Sequence, residues 1–219
     1  MKKRTVIFGD YNTAAHGWTL TGILLSDPEQ KLNYVEKPGG DGSWDLSTVL
    51  TDGIPRYKDR SLTVTLECSE GTRDDREQLI NEMVNNLDGM IWQIILPDRP
   101  DHFLTGRIHV SVNYSNLAHA AVTVTGTVAP WFYSARETIV ELTATEVSQT
   151  VYLNNNGRRA VVPEITVTGD VNLETNGMHN DFADGSYEWS ALLLKQGLTA
   201  LHYEGNGKVI ITYREAVLR

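Results

Sequence analysis

One amphipathic helix, in a chain whose other periodic segments have strand character, is the feature that most constrains the fold. Its apolar residues recur at helical spacing: Leu79, Ile80, Met83, Val84 and Leu87. Thr72 is a candidate N-cap with Asp75 three residues later, and Gly89 is a candidate C-cap. The pattern predicts a helix over about 72–88. A lone helix in a β-rich chain is expected to cover one face or open end of a sheet.

The first half of the chain is otherwise predicted to be β. Apolar residues alternate with polar or small ones, or form short apolar runs, in segments 6–8, 18–24, 32–35, 62–68, 90–96, 108–114 and 120–128. The last two segments predict a long hairpin over 107–128, with Asn116 in its turn. Cys68 is the only cysteine, which excludes an intrachain disulfide, and we interpret it as a small core residue rather than a nucleophile.

The second half is predicted to be a small β-sandwich without a helix. Strands are expected at 139–142, at 150–153 with a turn after it, and at 165–167, where Gly169 ends the strand. Segment 201–213, with Gly205-Asn206-Gly207 at its centre, predicts a hairpin. Segment 174–186 is the longest predicted polar loop.

A change in composition after Pro130-Trp131-Phe132-Tyr133 places the expected domain boundary there. We therefore expect domains at 1–133 and 134–219. The aromatic residues of this segment fit two positions, an interdomain joint or the end of the first core.

Composition excludes several classes of function. The formal net charge is −9, with no cluster of Lys and Arg beyond the first four residues, so tight nucleic-acid binding is not expected. No apolar run approaches the ~18 residues of a membrane span. The apolar stretch after the basic start is too short for a signal peptide.

Motifs of metal and phosphate chemistry are incomplete. The six histidines show no helical pair and no nearby cysteine, so we expect structural histidines rather than a zinc site. Segment 180–185 is similar to a calcium loop, but Phe182 stands where a ligand is needed, and a solvated loop is the preferred interpretation. Segment 37–47 contains three glycines and a proline. It predicts a tight turn or bulge, because no Gly-Lys-Ser/Thr follows for phosphate binding.

Catalytic patterns are also missing, and no enzyme activity, catalytic residue, cofactor or metal ligand is predicted. Trp131, Tyr187 and Trp189 could stack against sugars on an exposed β face. The alternative, that they fill a core or an interface, is the one we favour.

Four landmarks in one order resemble siphophage distal tail proteins, a family also encoded by prophages of Gram-positive bacteria. Segment 36–46, Glu-Lys-Pro-Gly-Gly-Asp-Gly-Ser-Trp-Asp-Leu, is similar to the family's Pro-Gly-x-Asp-Gly-x-x-Asp-Leu segment. The others are the strand led by Arg60 after Tyr57, the polar-start helix that ends in Leu87-Asp88-Gly89, and the Leu104-Thr105-Gly106-Arg107 strand. The Pro-aromatic segment at 130–133 closes the first module as in that family. The resemblance covers residues 1 to about 133, and the second half matches only in size and β character.

This resemblance implies a mainly β fold, with a tail-tube-like N-terminal β-sandwich that carries one helix and a galectin-like C-terminal β-sandwich. It implies a virion structural protein at the tail tip, synthesised in the bacterial host cytoplasm. Six copies would form a homohexameric ring that joins the tail tube protein to the tail tip or baseplate, with a lumen for DNA. Tail-associated and receptor-binding proteins would be the other partners.

Three alternatives remain open at this stage. The first is a related tube-like or tail-tip adaptor at another ring position. The second is a lectin whose C-terminal domain recognises cell-wall glycans of the host. The third is a glycan hydrolase, for which the sequence offers carboxylates but no defined pair.

Overall fold

A computed structural model describes residues 4–51, 53–113 and 120–219. The chain divides into two compact units, Met1–Pro130 and Trp131–Arg219. Both are built mainly of β-strands, as predicted, and Arg73–Leu87 is the only α-helix in these ranges. The domain boundary expected at 133/134 lies near this division and stays a prediction.

The first unit is organised around one antiparallel sheet. Its elements are β1 (Ile7–Phe8), β2 (Tyr11–Asn12), β3 (Thr19–Leu25), β4 (Tyr34–Glu36), β5 (Ser43–Asp45), a 3-10 turn (Val49–Thr51), β6 (Arg60–Cys68), α1 (Arg73–Leu87), β7 (Ile91–Ile95), β8 (His102–Asn113) and β9 (Ala120–Val128). The strand order is β2-β1-β7-β8-β9-β6-β3. Strands β8 and β9 pair over Gly106–Asn113 and Ala121–Val128, which confirms the predicted hairpin. Its expected turn residue, Asn116, lies outside the described residues.

The helix begins with the predicted capping pair. The Asp75 amide donates to the Thr72 hydroxyl at 3.2 Å, and the Thr72 amide donates to the Asp75 carboxylate at 2.8 Å. Asp88 is the C-cap, and Gly89, expected to be the cap itself, follows it with φ +75°. The Gly89 amide donates to Ile108 O, so the end of the helix is tied to β8. Ile80, Met83 and Leu87 are buried, consistent with the predicted apolar stripe.

A β-bulge changes the face of β3 along its length. Leu20 pairs with Leu66 and Gly22 pairs with Thr65, so the β3 residue between them has no paired residue on β6. An extra residue reverses the alternation of side chains beyond it. Leu24, which the sequence pattern places on the same face as buried Trp18, is therefore 70% exposed.

The second unit contains a sheet that folds over on itself. The strands of the second unit are β10 (Phe132–Ser134), β11 (Thr138–Ala144), β12 (Gln149–Asn155), β13 (Glu164–Thr175), β14 (Met178–Phe182), β15 (Gly185–Glu188), β16 (Gly197–Tyr213) and β17 (Ala216–Val217). The sheet is six-stranded and consists of β11 to β16. The first part of β16 pairs with β12. The last part of β13 pairs with β14. The last part of β16 pairs with β11, and the first part of β13 pairs with β15. Two half-sheets thus share both long strands and enclose the buried core that includes Leu153, Leu173 and Val209.

The hairpin predicted for 201–213 is wrong, and so is the expected end of a strand at Gly169. Strand β16 runs without interruption through Gly205-Asn206-Gly207, and β13 runs through Gly169. Gly169 pairs with Gly207 and Gly205 pairs with Val171, where both strands pass from one half-sheet to the other. A β-carbon on Gly169 or Gly205 would lie 2.4 Å from a carbonyl oxygen of the facing strand. The glycines therefore permit a close backbone approach rather than a turn.

The polar loop predicted at 174–186 is also wrong, because it contains strand β14. Asn176 and Gly177 form the turn between β13 and β14, with φ of +53° and +74°. Asn-Gly with two positive φ values is typical of a two-residue β-hairpin. The polar composition of this segment concealed that signal.

Candidate functional site

The connection between β3 and β6 forms a projection that carries little of the core. We call residues 27–59 the arm. Two antiparallel strands, β4 and β5, pair only with each other in it, from Tyr34–Asp45 to Glu36–Ser43, and all six of their residues are exposed. The arm thus leaves the main sheet of the first unit.

The turn of the arm is made by the glycine-rich segment, as the sequence predicted. Gly39 and Gly42 have φ of +70° and +76°, a backbone region that favours glycine. The Lys37 amide donates to Gly42 O at 3.3 Å, which closes the turn. Beyond it, the Ser47 amide donates to the Asp45 carboxylate at 2.9 Å. The hydrogen bonds from Ser47 hold the pKa of Asp45 below its ordinary value.

Contacts at the base of the arm join its two ends. The Lys58 ammonium pairs with the Glu29 carboxylate at 2.5 Å. Gln30 and Tyr57 form an isolated β-bridge. Arg60, at the start of β6 and 5% exposed, donates from Nε to Ser26 O at 2.6 Å. The two ends of the arm are therefore held together, although the strands of its outer part are exposed.

Large apolar side chains are concentrated on the arm. Sixteen such side chains are exposed among the described residues. Seven of them lie between positions 32 and 50: Leu32, Tyr34, Val35, Trp44, Leu46, Val49 and Leu50. Leu50 is 96% exposed and Trp44 is 51% exposed. A two-stranded hairpin alone is marginally stable in water, and large exposed apolar patches are common at protein interaction sites.

Two more apolar sites of the first unit are exposed outside the arm. Leu24 lies on the edge strand β3, and Met90 and Ile91, which are 57% and 59% exposed, lie at the start of β7. The unit thus presents an apolar projection and separate apolar spots.

The aromatic residues singled out in the second unit mostly face its core. Tyr187 and Trp189 make edge-to-face contacts with buried Phe182, with ring centroids 5.0 and 5.6 Å apart. Both pack against the hydrophobic core of that unit, so the favoured core interpretation is confirmed for them. Trp131 is half-buried.

Cys68 is buried, as predicted, and two of the histidines make contacts within the chain. Cys68 is 6% exposed. His16 stacks on Tyr11 at 4.0 Å and bonds Glu82 at 2.9 Å. His109 contacts the Asp88 carboxylate at 2.7 Å. His119 lies outside the described residues.

Asp181 and Asp184, from the calcium-like segment, instead make protein contacts. Asp184 accepts a hydrogen bond from the Gly169 amide at 2.5 Å, and Asp181 accepts one from Asn172 at 2.7 Å. In the described ranges, no three His, Cys, Asp or Glu side chains are grouped to hold a metal ion. No helix in those ranges has the length and apolar character to cross a membrane.

Comparison with known proteins gives no matching family model and no matching curated protein. Among solved structures, the fold is similar to that of the SPP1 Dit protein, characterised as a paradigm of the hub adsorption apparatus in phages that infect Gram-positive bacteria. The match covers 96% of this chain and 98% of that chain, with a TM-score of 0.69 and 15% identity. A chain of the phage P2 baseplate, in its activated conformation with Ca, matches at a TM-score of 0.46 and 7% identity, covering 97% and 98%.

The likeness to SPP1 Dit extends over both units, so this chain shares the fold of that protein over 96% of its length. The glycine-rich segment that resembles the family's motif forms the turn of the apolar arm. The positive φ angles of Gly39 and Gly42 allow the backbone to make this turn.

Proposed function

We propose that this protein is a distal tail protein of a siphophage, a virion structural subunit that forms a ring of six copies at the end of the tail tube. The observation that carries the proposal is the exposed apolar arm, on a fold that matches a phage hub protein over nearly its whole length. The ring joins the tail tube protein to the tail tip or baseplate, and its role is structural rather than enzymatic.

The arm supports assembly for an energetic reason. Each apolar Å² removed from water contributes roughly 25 cal/mol, and burying a leucine side chain contributes about 1.5–3 kcal/mol. Leu50 is 96% exposed and Trp44 is 51% exposed, so both can be covered by another subunit without giving up much packing within their own chain. Covering the arm with the next copy therefore stabilises the assembly at little cost to the subunit.

The type of contact is compatible with closure into a ring. An arm that seats on a different surface of the next copy makes a heterologous contact, which generates either a ring or an open filament. The apolar spots at Leu24 and Met90–Ile91 are suitable receiving surfaces. Six-fold closure, a DNA-conducting lumen and docking of tail-associated or receptor-binding proteins are further parts of the proposal. The chain's net charge of −9 is compatible with a lumen that does not retain DNA.

The test is the mass and shape of the full chain in solution, by light scattering on a size-exclusion peak and negative-stain images of the same fraction. A six-fold ring with a central hole is expected. Leu50→Asp is expected to leave a folded monomer, whereas Val147→Asp, at an exposed apolar position of the second unit, leaves the ring intact. A wild-type monomer that also fails to assemble with the tail tube protein would overturn the proposal.

A further inference from the structure

The second unit contains every Asn-Gly pair of the chain, a dipeptide that is chemically reactive in water. Glycine has no β-carbon, so little hinders the approach of its amide nitrogen to the carboxamide of the preceding asparagine. The sequence has three such pairs: Asn156–Gly157, Asn176–Gly177 and Asn206–Gly207. Their surroundings differ, so the structure ranks their reactivity.

The reaction converts the carboxamide to a carboxylate without a cofactor. The glycine amide nitrogen loses its proton to base and bonds to Cγ of the asparagine, the Cγ–Nδ2 bond breaks, and ammonia leaves after taking up a proton. The product is a succinimide ring. Water then opens the ring at Cγ, which gives aspartate, or at the backbone carbonyl, which gives isoaspartate. In total, water is consumed and ammonia is released, with no oxidation or reduction.

This step requires freedom of the backbone between the two residues. The glycine nitrogen must turn toward Cγ, so hydrogen bonds and packing that hold either residue have to be released first. The rate at each pair therefore depends on the free energy of local opening at that place in the fold.

The first pair is restrained by hydrogen bonds. The Gly157 amide, which is the nucleophile, donates to Oδ1 of buried Asn155 at 2.9 Å. The Asn156 carboxamide donates from Nδ2 to the Glu215 carboxylate at 3.0 Å. Gly157 is also buried, and a β-carbon there would lie 2.6 Å from the amide nitrogen of Ala216. Both reacting groups are thus held in place.

The third pair is part of a continuous strand. Gly207 pairs with Gly169 of β13 on one side and with Ala144 of β11 on the other. Asn206 pairs with Asp170 in the same register. Reaction at this pair requires β16 to separate from its neighbours, which opens the sheet that encloses the core of the unit.

The second pair has none of these restraints. Asn176 and Gly177 are exposed and form a two-residue turn that is closed by buried Thr175 and exposed Met178. No atom lies within 4 Å of a β-carbon added to Gly177. Within the described ranges, neither the Asn176 carboxamide nor the Gly177 amide makes a hydrogen bond.

The strand after this turn is also held less firmly than β16. In the described part of the chain, β14 pairs only with β13, so it lies at an edge of the sheet. Its first four residues are exposed, and only Phe182 at its far end is buried. Opening the hairpin at its turn therefore breaks fewer core contacts than separating β16 from its neighbours.

We propose that Asn176 is a site of spontaneous modification, at which the folded protein forms a succinimide and then aspartate or isoaspartate. The proposal does not rest on ring assembly, because the reaction needs only the turn and water. Isoaspartate lengthens the backbone of the turn by one methylene group. Since the turn of a hairpin fixes its register, the isoaspartyl form holds β14 less firmly against β13.

The test is incubation of the full folded chain in mildly alkaline buffer, followed by peptide mapping with mass spectrometry. The product is recognised by the mass change from NH2 to OH and by separation of aspartyl and isoaspartyl peptides. Asn156 and Asn206 are matched controls within the same chain. Modification at Asn176 is expected to be at least about tenfold faster than at either control. In urea-unfolded chain the rates are expected to become similar.

Two results would overturn the proposal. One is a rate at Asn176 in the folded chain that does not exceed the rates at Asn156 and Asn206. The other is a folded chain that stays unmodified at Asn176 while the unfolded chain reacts at every Asn-Gly pair. Asn176→Gln, whose longer side chain disfavours ring closure, is expected to remove the signal, and its persistence would also contradict the assignment.

Hydrogen exchange measures the structural consequence. Amides of β14 are expected to exchange faster in the isoaspartyl form than in Asn176→Asp, which carries the same charge on an unaltered backbone. Equal exchange in these two forms would show that the lengthened backbone does not loosen the hairpin.

Discussion

Gly169 of β13 and Gly207 of β16 lie opposite each other at the bend that the two half-sheets of the second unit share. Gly169 has φ +92°, and a β-carbon there would meet Asn206 O at 2.4 Å. Gly169→Ala therefore combines backbone strain with a backbone clash. We expect it to lower the free energy of unfolding by about 3 kcal/mol or more, measured by chemical denaturation.

Gly177→Ala separates the effect of backbone strain from the effect of the steric clash. Gly177 also has positive φ, +74°, but no atom lies within 4 Å of its added β-carbon. A loss of about 1 kcal/mol is expected from strain alone. Equal losses at both positions would show that the close approach at the bend is not a significant constraint.

Asn155 is a buried polar residue with its hydrogen bonds satisfied. It is completely buried, and Nδ2 donates to Arg159 O at 2.9 Å and Leu194 O at 3.0 Å, while Oδ1 accepts from the Gly157 amide at 2.9 Å. Asn155→Ala leaves these backbone groups without their partner. A loss of about 3 kcal/mol in the free energy of unfolding is expected. Asn154→Ala, on the exposed face of the same strand, is expected to change it by less than about 0.5 kcal/mol.

The helix N-terminus offers a test of a locally encoded feature. Thr72→Ala removes the hydroxyl that accepts from the Asp75 amide. The expected loss is about 1 kcal/mol, and Thr72→Ser, which keeps the oxygen, is expected to recover most of it. Thermal unfolding monitored at a helix-sensitive wavelength provides the measurement. Identical behaviour of the two variants would contradict a role for the cap.

Asp88 connects the end of the helix to the sheet in a pH-dependent way. The Val110 amide donates to its carboxylate at 2.8 Å, and this bond, with a smaller contribution from His109, holds the pKa of Asp88 below its ordinary value. A lowered pKa in the folded state stabilises the protein above the unfolded pKa of about 3.9, and this stabilisation is lost as the pH falls through the folded pKa.

Asp88→Asn keeps the shape of the side chain and removes the charge. At pH 7 the variant is expected to unfold at a lower temperature than wild type, and the two curves are expected to converge as the pH falls through the folded pKa of Asp88. A difference that persists unchanged in acid would indicate that the charge does not contribute. Glu146→Gln, at an exposed position of the second unit, is a suitable control.

Several features of the fold were predictable because neighbouring residues determine them. The capping pair Thr72–Asp75 and the apolar stripe through Ile80 and Met83 specify the helix within a few turns of chain. The strict alternation of apolar and polar residues predicted β6, and Gly39 and Gly42 predicted the turn of the arm. The exposure of the apolar side chains on the arm was not predictable, because exposure depends on what packs against them.

Local sequence alone determined that this chain is mainly β, with one capped helix, a glycine-rich turn and a small second β-unit. Only the tertiary structure decided what Gly205-Asn206-Gly207 does. The same glycines permit a hairpin turn or a bend in a continuous strand, and the choice depends on β13, which is distant in sequence but pairs along β16. The bulge in β3 likewise arises from its register with β6, so the exposure of Leu24 follows from a contact that no local pattern specifies.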